Sequence, residues 1–257
     1  MTSARMPVGF VGHGNPMNAL GGPIAEAWQA WGGSLPRPQG ILVVSAHFEA
    51  APPTLSSTSG SGQIYDFSGF PDEMYGLRYT PPPAPDVAAA VERLLSPDLA
   101  VGRAEGRGLD HGAWAPLMHL APAADIPTIQ LSIPWADDGP AMLALGERLA
   151  PLRDEGVWIL GSGNIVHNLR RVDWSGSGAV ADWAADFDGW VAGSLSADAG
   201  PDLAGYRSHP LGATCHPTAE HFVPLLVAAG AAAGDPPAFP CTGFELGTIS
   251  ARSVSFG

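Results

Sequence analysis

The 257-residue chain contains no lysine; all twelve of its Lys/Arg side chains are arginine. That absence removes a Schiff-base or pyridoxal-phosphate lysine, a lysine general base and a P-loop lysine. Cysteine is nearly absent too: Cys215 and Cys241 alone make neither a disulfide framework nor a zinc-ribbon spacing. Positive charge is scarce overall. Twelve arginines face 25 acidic residues, for a formal net charge of −13. Nucleic acid is a poor partner for such a chain, since phosphates require clustered cations, and so is an anionic lipid surface. No segment approaches the ~20 apolar residues of a membrane span, and Met1-Thr-Ser-Ala-Arg5 lacks the apolar run of a signal peptide. The expectation is a soluble cytoplasmic protein. Two catalytic templates are missing as well. There is no G-x-S-x-G nucleophile elbow, and Gly161-Ser-Gly163 is not followed by glycine three residues later, as a dinucleotide loop requires.

What is present suits a compact enzyme. Apolar residues make up 46% and charged residues 14% of the chain, and the length fits one domain over residues 1–257. Gly (33) and Pro (26) are frequent but follow no period, so a repeat array is not expected. Ile41-Leu-Val-Val44 reads as a strand buried on both faces, as in the middle of a parallel sheet. His47 follows where that strand should end. Val8-Gly-Phe-Val11 leads in the same way into His13, and Val157-Trp-Ile-Leu160 into His167. In open α/β sheets ligands sit outside the carboxyl ends of the strands, so three strands deliver three histidines to one working edge.

Alternating segments complete the reading. Helices are expected over Pro23–Trp31, Asp86–Leu95, from Gly112 to Leu120, Pro140–Leu152, Asp182–Leu195 and Glu220–Ala229, with further strands at Ile126–Ile133 and Phe244–Ile249. The fold class is α/β: a single domain with a central, largely parallel sheet flanked by helices and a metal site at the carboxyl ends of the strands. Residues 50–63 read as a mobile loop, either a lid or a plain connector. The aromatic segment Tyr65–Tyr75 either plugs a surface gap or walls a flat aromatic substrate. Gly161 and Gly163 mark either a tight strand exit or a close approach of ligand to backbone.

Of the eight histidines, His13, His47, His111 and His167 sit beside glycines or at strand ends. His119 lies on an apolar helix as a packed or rim residue, His209 and His216 precede prolines, and His221 starts a helix. Imidazole is the commonest protein metal ligand at neutral pH. The spacings are long, unlike those of zinc fingers or the HExxH helix, so convergence on one edge carries the case for a metal.

Seven motifs then come in order: Gly12-His-Gly-Asn-Pro-Met17, Ser45-Ala-His47, Tyr65-Asp-Phe-Ser-Gly-Phe-Pro71, Gly108-Leu-Asp-His-Gly112, Gly161-Ser-Gly-Asn-Ile-Val-His-Asn168, Pro217-Thr-Ala-Glu-His221 and Glu245-Leu-Gly-Thr248. Together, from about residue 8 to about residue 250, they resemble the class III extradiol ring-cleavage dioxygenases, in the single-chain DOPA 4,5-dioxygenase branch of bacteria and plants. The resemblance implies metal ligation by His13, His47 and His221. It implies that His167 is an acid–base partner across the metal, able to become a fourth ligand when zinc is bound, and that His111 hydrogen-bonds the catechol. Asn15, Tyr65, Phe67, Phe70 and Asn164 are the candidates for a substrate pocket.

The implied cofactor is Fe(II), with Zn(II) possible in purified protein; the implied partners are a catechol and O₂. The expected reaction is DOPA-like 4,5-cleavage to a muconic-semialdehyde-type product. One departure matters. Protocatechuate 4,5-dioxygenases use two histidines and a carboxylate, whereas the motif here offers a third histidine beside Glu220. Neighbours on a helix point about 100° apart, which favours His221 as the ligand. The competing readings are a zinc-dependent hydrolase and a non-catalytic metal-binding protein on the same scaffold; the presence of both His111 and His167 favours catalysis. A substrate carboxylate could pair with an arginine, Arg170 and Arg171 being candidates, although adjacent arginines are commonly a solvated pair. Oligomeric state is not legible.

Overall fold

The computed structural model describes residues 5–60, 62–96, 98–175, 178–197 and 200–257. Residues 1–4, read above for a leader, and Ser61 of the 50–63 loop lie outside the described residues. In chain order the elements are β1 Val8–Gly12, α1 Pro23–Ser34, β2 Gly40–Ser45, β3 Thr54–Leu55, α2 Asp72–Gly76, α3 Pro85–Leu95, β4 Gly102–Arg103, α4 His111–Leu120, β5 Thr128–Gln130 and α5 Gly139–Leu149. They continue with β6 Val157–Gly163, α6 Asp182–Ser196, α7 Gly200–Ala204, α8 Gly212–Cys215, α9 Val223–Ala232, β7 Pro237–Cys241, β8 Phe244–Glu245, β9 Ile249–Ser250 and β10 Ser253–Phe256.

Six strands form one mixed sheet in the order β5-β2-β6-β1-β10-β7. β5, β2, β6 and β1 run parallel, and β10 and β7 add an antiparallel edge. β1, β2 and β6 are buried at every position, which is why their sequences are continuous apolar runs rather than alternating ones. The pleat sends alternate side chains to opposite faces. Ile41 and Val43 join Trp28, Trp31 and Trp114 from α1 and α4 on one face. Leu42 and Val44 join Val87, Leu145, Leu225 and Leu226 from α3, α5 and α9 on the other. Each such buried aliphatic contributes roughly 1.5–3 kcal/mol of transfer free energy. No helix among the described residues is long and apolar enough to cross a membrane.

The register brings the carboxyl ends of the parallel strands level. Gly12 pairs with Gly163, and Ser45 with Ser162, so the chain leaves β1, β2 and β6 at one edge. Helix α9, apolar all round, packs on β6 and β1 from below. Its approach depends on missing side chains: a Cβ on Gly163 would collide with the carbonyl of His221, and one on Gly161 with that of Pro224. Neither a tight strand exit nor a ligand approach, the two readings of these glycines, names this contact, which is with the protein's own backbone.

Several boundaries differ from the sequence reading, each for a local reason. The helix expected over Glu220–Ala229 begins at Val223, with Pro224 in its first turn, where proline is favoured. His221 therefore sits in the turn ahead of the helix. The helix expected to reach Leu152 ends at Leu149 and tightens into a 3₁₀ turn over Ala150–Arg153, because Pro151 has no N–H to continue the ladder. The single late strand Phe244–Ile249 is a hairpin of β8 and β9, reversing through Leu246 and Gly247, both with positive φ. The proline-rich strand β7 and its partner β10 went unpredicted. The described part of the 50–63 loop is not a free connector. Leu55, Ser56 and Ser57 are buried, and Ser56 exchanges bonds of 2.9 and 3.0 Å with Gln130.

Gly163→Ala should push the His221 turn off β6. Overpacking of this kind costs about 1–3 kcal/mol, so thermal denaturation should show a melting point lower by several degrees. An unchanged melting point would show that the approach is not tight.

Candidate metal centre and substrate pocket

Each histidine at this edge is placed by a backbone or buried polar constraint. The His13 N–H donates to Gly163 O at 2.9 Å, continuing the β1–β6 ladder by one residue. The His47 N–H donates to Ser45 Oγ at 3.2 Å, and Ser45 Oγ donates in turn to Asp110 at 2.7 Å. Asp110 is fully buried and caps α4, accepting from the Ala113 N–H at 3.2 Å; Gln130 and Arg107 hold its other oxygen. Burial raises its carboxyl above the usual range, even though Ser45 and Gln130 pull it down. His111, next along, is thereby fixed at the first turn of α4. The His167 N–H donates to Cys215 O at 3.0 Å, and His221 O accepts from the Asn164 N–H at 2.8 Å.

The ring centroids of His13, His47 and His221 form a near-equilateral triangle with sides of 5.1, 5.4 and 5.0 Å. Hydrogen bonding fixes the tautomers of His13 and His221. Ser162 Oγ lies 2.9 Å from His13 Nδ1 and spends its one proton on Gly112 O at 2.5 Å, so it must accept from Nδ1–H. His221 Nδ1 lies 2.9 Å from Glu220 Oε1, an acceptor when ionised. His47 Nδ1 faces Asp66 Oδ2 at 3.7 Å. The Nε2 atoms of His13 and His221 are left with bare lone pairs, and the Nε2 atoms of His13 and His47 are only 3.3 Å apart. With the His47 proton on Nδ1, toward Asp66, both atoms carry lone pairs, which repel at that distance unless a cation lies between them. Ligands about 2.1 Å from one ion in tetrahedral or octahedral geometry are roughly 3.0–3.4 Å apart, so the donor set fits a divalent metal.

Protonation agrees with this picture. Burial first, then neighbouring imidazoles, lowers His13 and His221 well below the ordinary histidine value. Burial and then His111 lower His47 to about 3, and burial is the main cause that lowers His167 to about 4. These rings are neutral at pH 7.

His167 lies outside the triangle, with its ring stacked on His221 at 3.5 Å and 9°. A second group of possible ligand atoms, from His167, Glu220 and His221, forms on that side. His111 stands on the other side, 4.0 Å from His47 between centroids. Asp66 accepts from its backbone N–H at 2.9 Å, and Asp66 Oδ2 lies 3.0 Å from His111 Nδ1. That second contact is too oblique for a hydrogen bond along N–H, so the backbone bond is the firmer hold. Burial acts to raise Asp66, but its contacts with His111 and His47 outweigh it and lower the carboxyl.

Above the imidazoles opens a cavity of about 310 Å³, walled by Phe70, Leu169, Trp174, Leu246 and Ile249, with Asn15 and Glu245 at one side. Of the expected pocket residues, Asn15 and Phe70 line it. Phe67 stands behind the wall, 5.6 Å from His111 between centroids and 5.1 Å from Phe70. Tyr65 is turned away, its hydroxyl donating to Leu77 O at 2.6 Å because its ring packs on Trp114. Asn164 is fully buried, donating to Ser250 O at 2.9 Å, and braces the His221 turn. Arg170 and Arg171 are exposed and do not line the cavity. His119 reaches Ala19 O at 3.2 Å beside Trp28, as a packed residue. His216 is buried on Ile165 O at 2.7 Å.

The residues missed by sequence reasoning are the partners. Ser162, Asp66 and Glu245 all stand inside motifs quoted above, but no residue pattern said what each touches. Glu220 was set aside on helical geometry; since Glu220 and His221 lie in a turn, its carboxylate can reach back to its neighbour's Nδ1.

Residues 17–257 match the family model described as the catalytic LigB subunit of aromatic ring-opening dioxygenase. The chain belongs to that family. A protein named 4,5-DOPA dioxygenase extradiol, from Escherichia coli K12, is 40% identical over 263 residues, covering 100% of this chain and 97% of that protein. One of the same name from Beta vulgaris is 40% identical over 230 residues, covering 87% of this chain and 85% of that protein. The crystal structure of an uncharacterized protein from Escherichia coli K12 superposes with a TM-score of 0.85 at 38% identity, covering 98% of this chain and 100% of that one. Membership in this dioxygenase family and the imidazole set agree on a metal cofactor.

Ser162→Ala should leave His13 Nδ1 without its acceptor and weaken metal binding by about 10–100-fold, read by competition with a chelator; unchanged affinity would remove Ser162 from the account. Stability without metal should also depend on pH. The folded-state values of His47, His167 and His216 lie at about 3, 4 and 3, below the ordinary 6.5. The unfolded chain therefore binds more protons between these limits, and stability falls as pH drops from about 7 toward 4. Each such histidine adds up to about 1.4 kcal/mol per pH unit. Urea denaturation of the metal-free protein at several pH values would reveal a flat profile if these rings were not buried neutral.

Proposed function

We propose that residues 1–257 act as one catalytic unit, a non-haem Fe(II)-dependent extradiol dioxygenase that opens a DOPA-like catechol with O₂. The observation that carries this reading is the triangle of three imidazoles, His13, His47 and His221, with Nδ1 of each turned to an oxygen acceptor and one possible ligand atom of each within 4.8 Å of the others. Three protein ligands on one face leave positions for a chelating catechol and for O₂. Fe(II) held there would supply the electron transfer to O₂ that no side chain of this chain provides.

The protein's part is to place the ring and manage protons. Phe70 and the apolar wall take the aromatic face and exclude water. His167, neutral at pH 7, accepts a hydroxyl proton of the catechol at a ring nitrogen and returns it later. His111, with Nδ1 on the Asp66 side, offers Nε2 to a catechol oxygen. We take His167 as acid–base rather than ligand because its ring is stacked on His221. The in-plane lone pairs of two parallel rings 3.5 Å apart do not converge on one point. The relatives named as 4,5-DOPA dioxygenases favour cleavage between a hydroxylated carbon and its unhydroxylated neighbour, giving a muconic-semialdehyde-type product.

Anaerobic loading with Fe(II), followed by air-saturated L-DOPA or 4-methylcatechol, should consume one O₂ per catechol and form a yellow ring-fission product. His111→Phe should keep its metal and lose about 10²-fold or more in kcat/KM. Metal held firmly with no O₂ uptake across a catechol panel would sink the reading.

A further inference from the structure

One carboxylate in the cavity wall is not used by the chemistry above. Glu245 reaches the cavity from the β8–β9 hairpin, and Gly14 makes room for it: a Cβ there would collide with Glu245 Oε2. Oε2 accepts from the Asn15 N–H at 2.9 Å and from Asn18 Nδ2 at 3.0 Å. Both bonds fall on the same oxygen, and no hydrogen bond from the described residues reaches Oε1. The walls beside it, Phe70, Leu169, Trp174, Leu246 and Ile249, are apolar, which strengthens any charge interaction made there.

No cation among the described residues that line the cavity balances it. Glu245 is the one acidic side chain among the described residues that line the cavity, and no arginine lines it. Arg107 is engaged with Asp110, Arg153 with Asp235, Arg207 with Asp137 and Arg252 with Asp188, while Arg170 and Arg171 are exposed and do not line the cavity. The chain has no lysine and a formal charge of −13, so its field also favours cationic ligands over anionic ones.

We propose that Glu245 is a specificity determinant, receiving a protonated amine on the substrate's side chain and so selecting aminoalkyl catechols over catechol carboxylates. The inference rests on the catechol reading above and adds which substituent the cavity recognises. In a catechol amino acid it is the ammonium, not the carboxylate, that meets a partner of opposite charge.

The test uses the Fe(II)-loaded full chain and three catechols differing only in the group at one ring position: 4-methylcatechol, 4-(2-aminoethyl)catechol and 3-(3,4-dihydroxyphenyl)propanoate. The wild-type kcat/KM for the amine should exceed that for the acid by about tenfold or more, the range of a charge-assisted hydrogen bond. Glu245→Gln keeps an acceptor oxygen for Asn15 and Asn18 while removing the charge. It should lower kcat/KM for the amine, through KM, by about tenfold more than for 4-methylcatechol. A wild-type enzyme that treats amine and acid alike, or prefers the acid, overturns the proposal whether or not the variant folds. An equal loss on all three catechols would leave Glu245 as a brace of the 15–18 turn and also overturns it. If no catechol is opened, the ring-cleavage reading fails by itself. Anaerobic calorimetry with the same amine and acid then still decides on Glu245: tighter binding of the amine supports it, and equal or reversed affinity overturns it.

Discussion

Occupation of Nδ1 on His13 and His221 is the constraint on which the working edge depends. A histidine presents a lone pair to a metal at one nitrogen only when a proton is held at the other. Ser162 does this for His13 and Glu220 for His221, and each partner is itself placed by the fold. Ser162 is the penultimate residue of β6 and is tied to Gly112 O at the start of α4. Glu220 lies in the turn that Gly163 lets settle against the same strand. One strand, β6, thus touches the imidazole triangle through Ser162, the turn carrying His221 through Gly163, and the helix carrying His111 through the Ser162–Gly112 bond. The sheet is buried on both faces so that this edge can be rigid, and the apolar cores on either side supply the rigidity.

Burial then decides the protonation states. Five close imidazoles could not all be charged, and the low dielectric around them keeps His13, His47, His167 and His221 neutral. Neutral rings suit both roles proposed above, ligand lone pairs at three of them and a proton acceptor at a fourth. The acidic residues nearby act on imidazoles rather than on substrate: Asp66 on His111 and His47, Glu220 on His221. Glu245 is the exception, facing the cavity itself.

Much of the fold was legible because buried parallel strands announce themselves as unbroken aliphatic runs, and β1, β2 and β6 fall where those runs lie. The histidines at their ends were legible for the same reason. Strand β7, with two prolines in five residues, has no such signature and is a strand only because β10 pairs with it at the sheet edge, where proline is tolerated. The partners of the histidines were illegible for a different reason. Ser162 and Asp66 lie 149 and 45 residues from the histidines they contact, a proximity made by tertiary packing alone. The choice of His221 over Glu220 rested on a helix over Glu220–Ala229; that helix begins at Val223, with Pro224 in its first turn, so both residues lie in the turn ahead of it.

The most direct test of this account is nitrogen NMR of the chain labelled with ¹⁵N-histidine, before and after loading with Zn(II). The account predicts metal-bound Nε2 and protonated Nδ1 for His13, His47 and His221, with His111 and His167 keeping the shifts of unligated rings. Coordination through Nδ1 at any of the three, or a metal-bound His167, would contradict it.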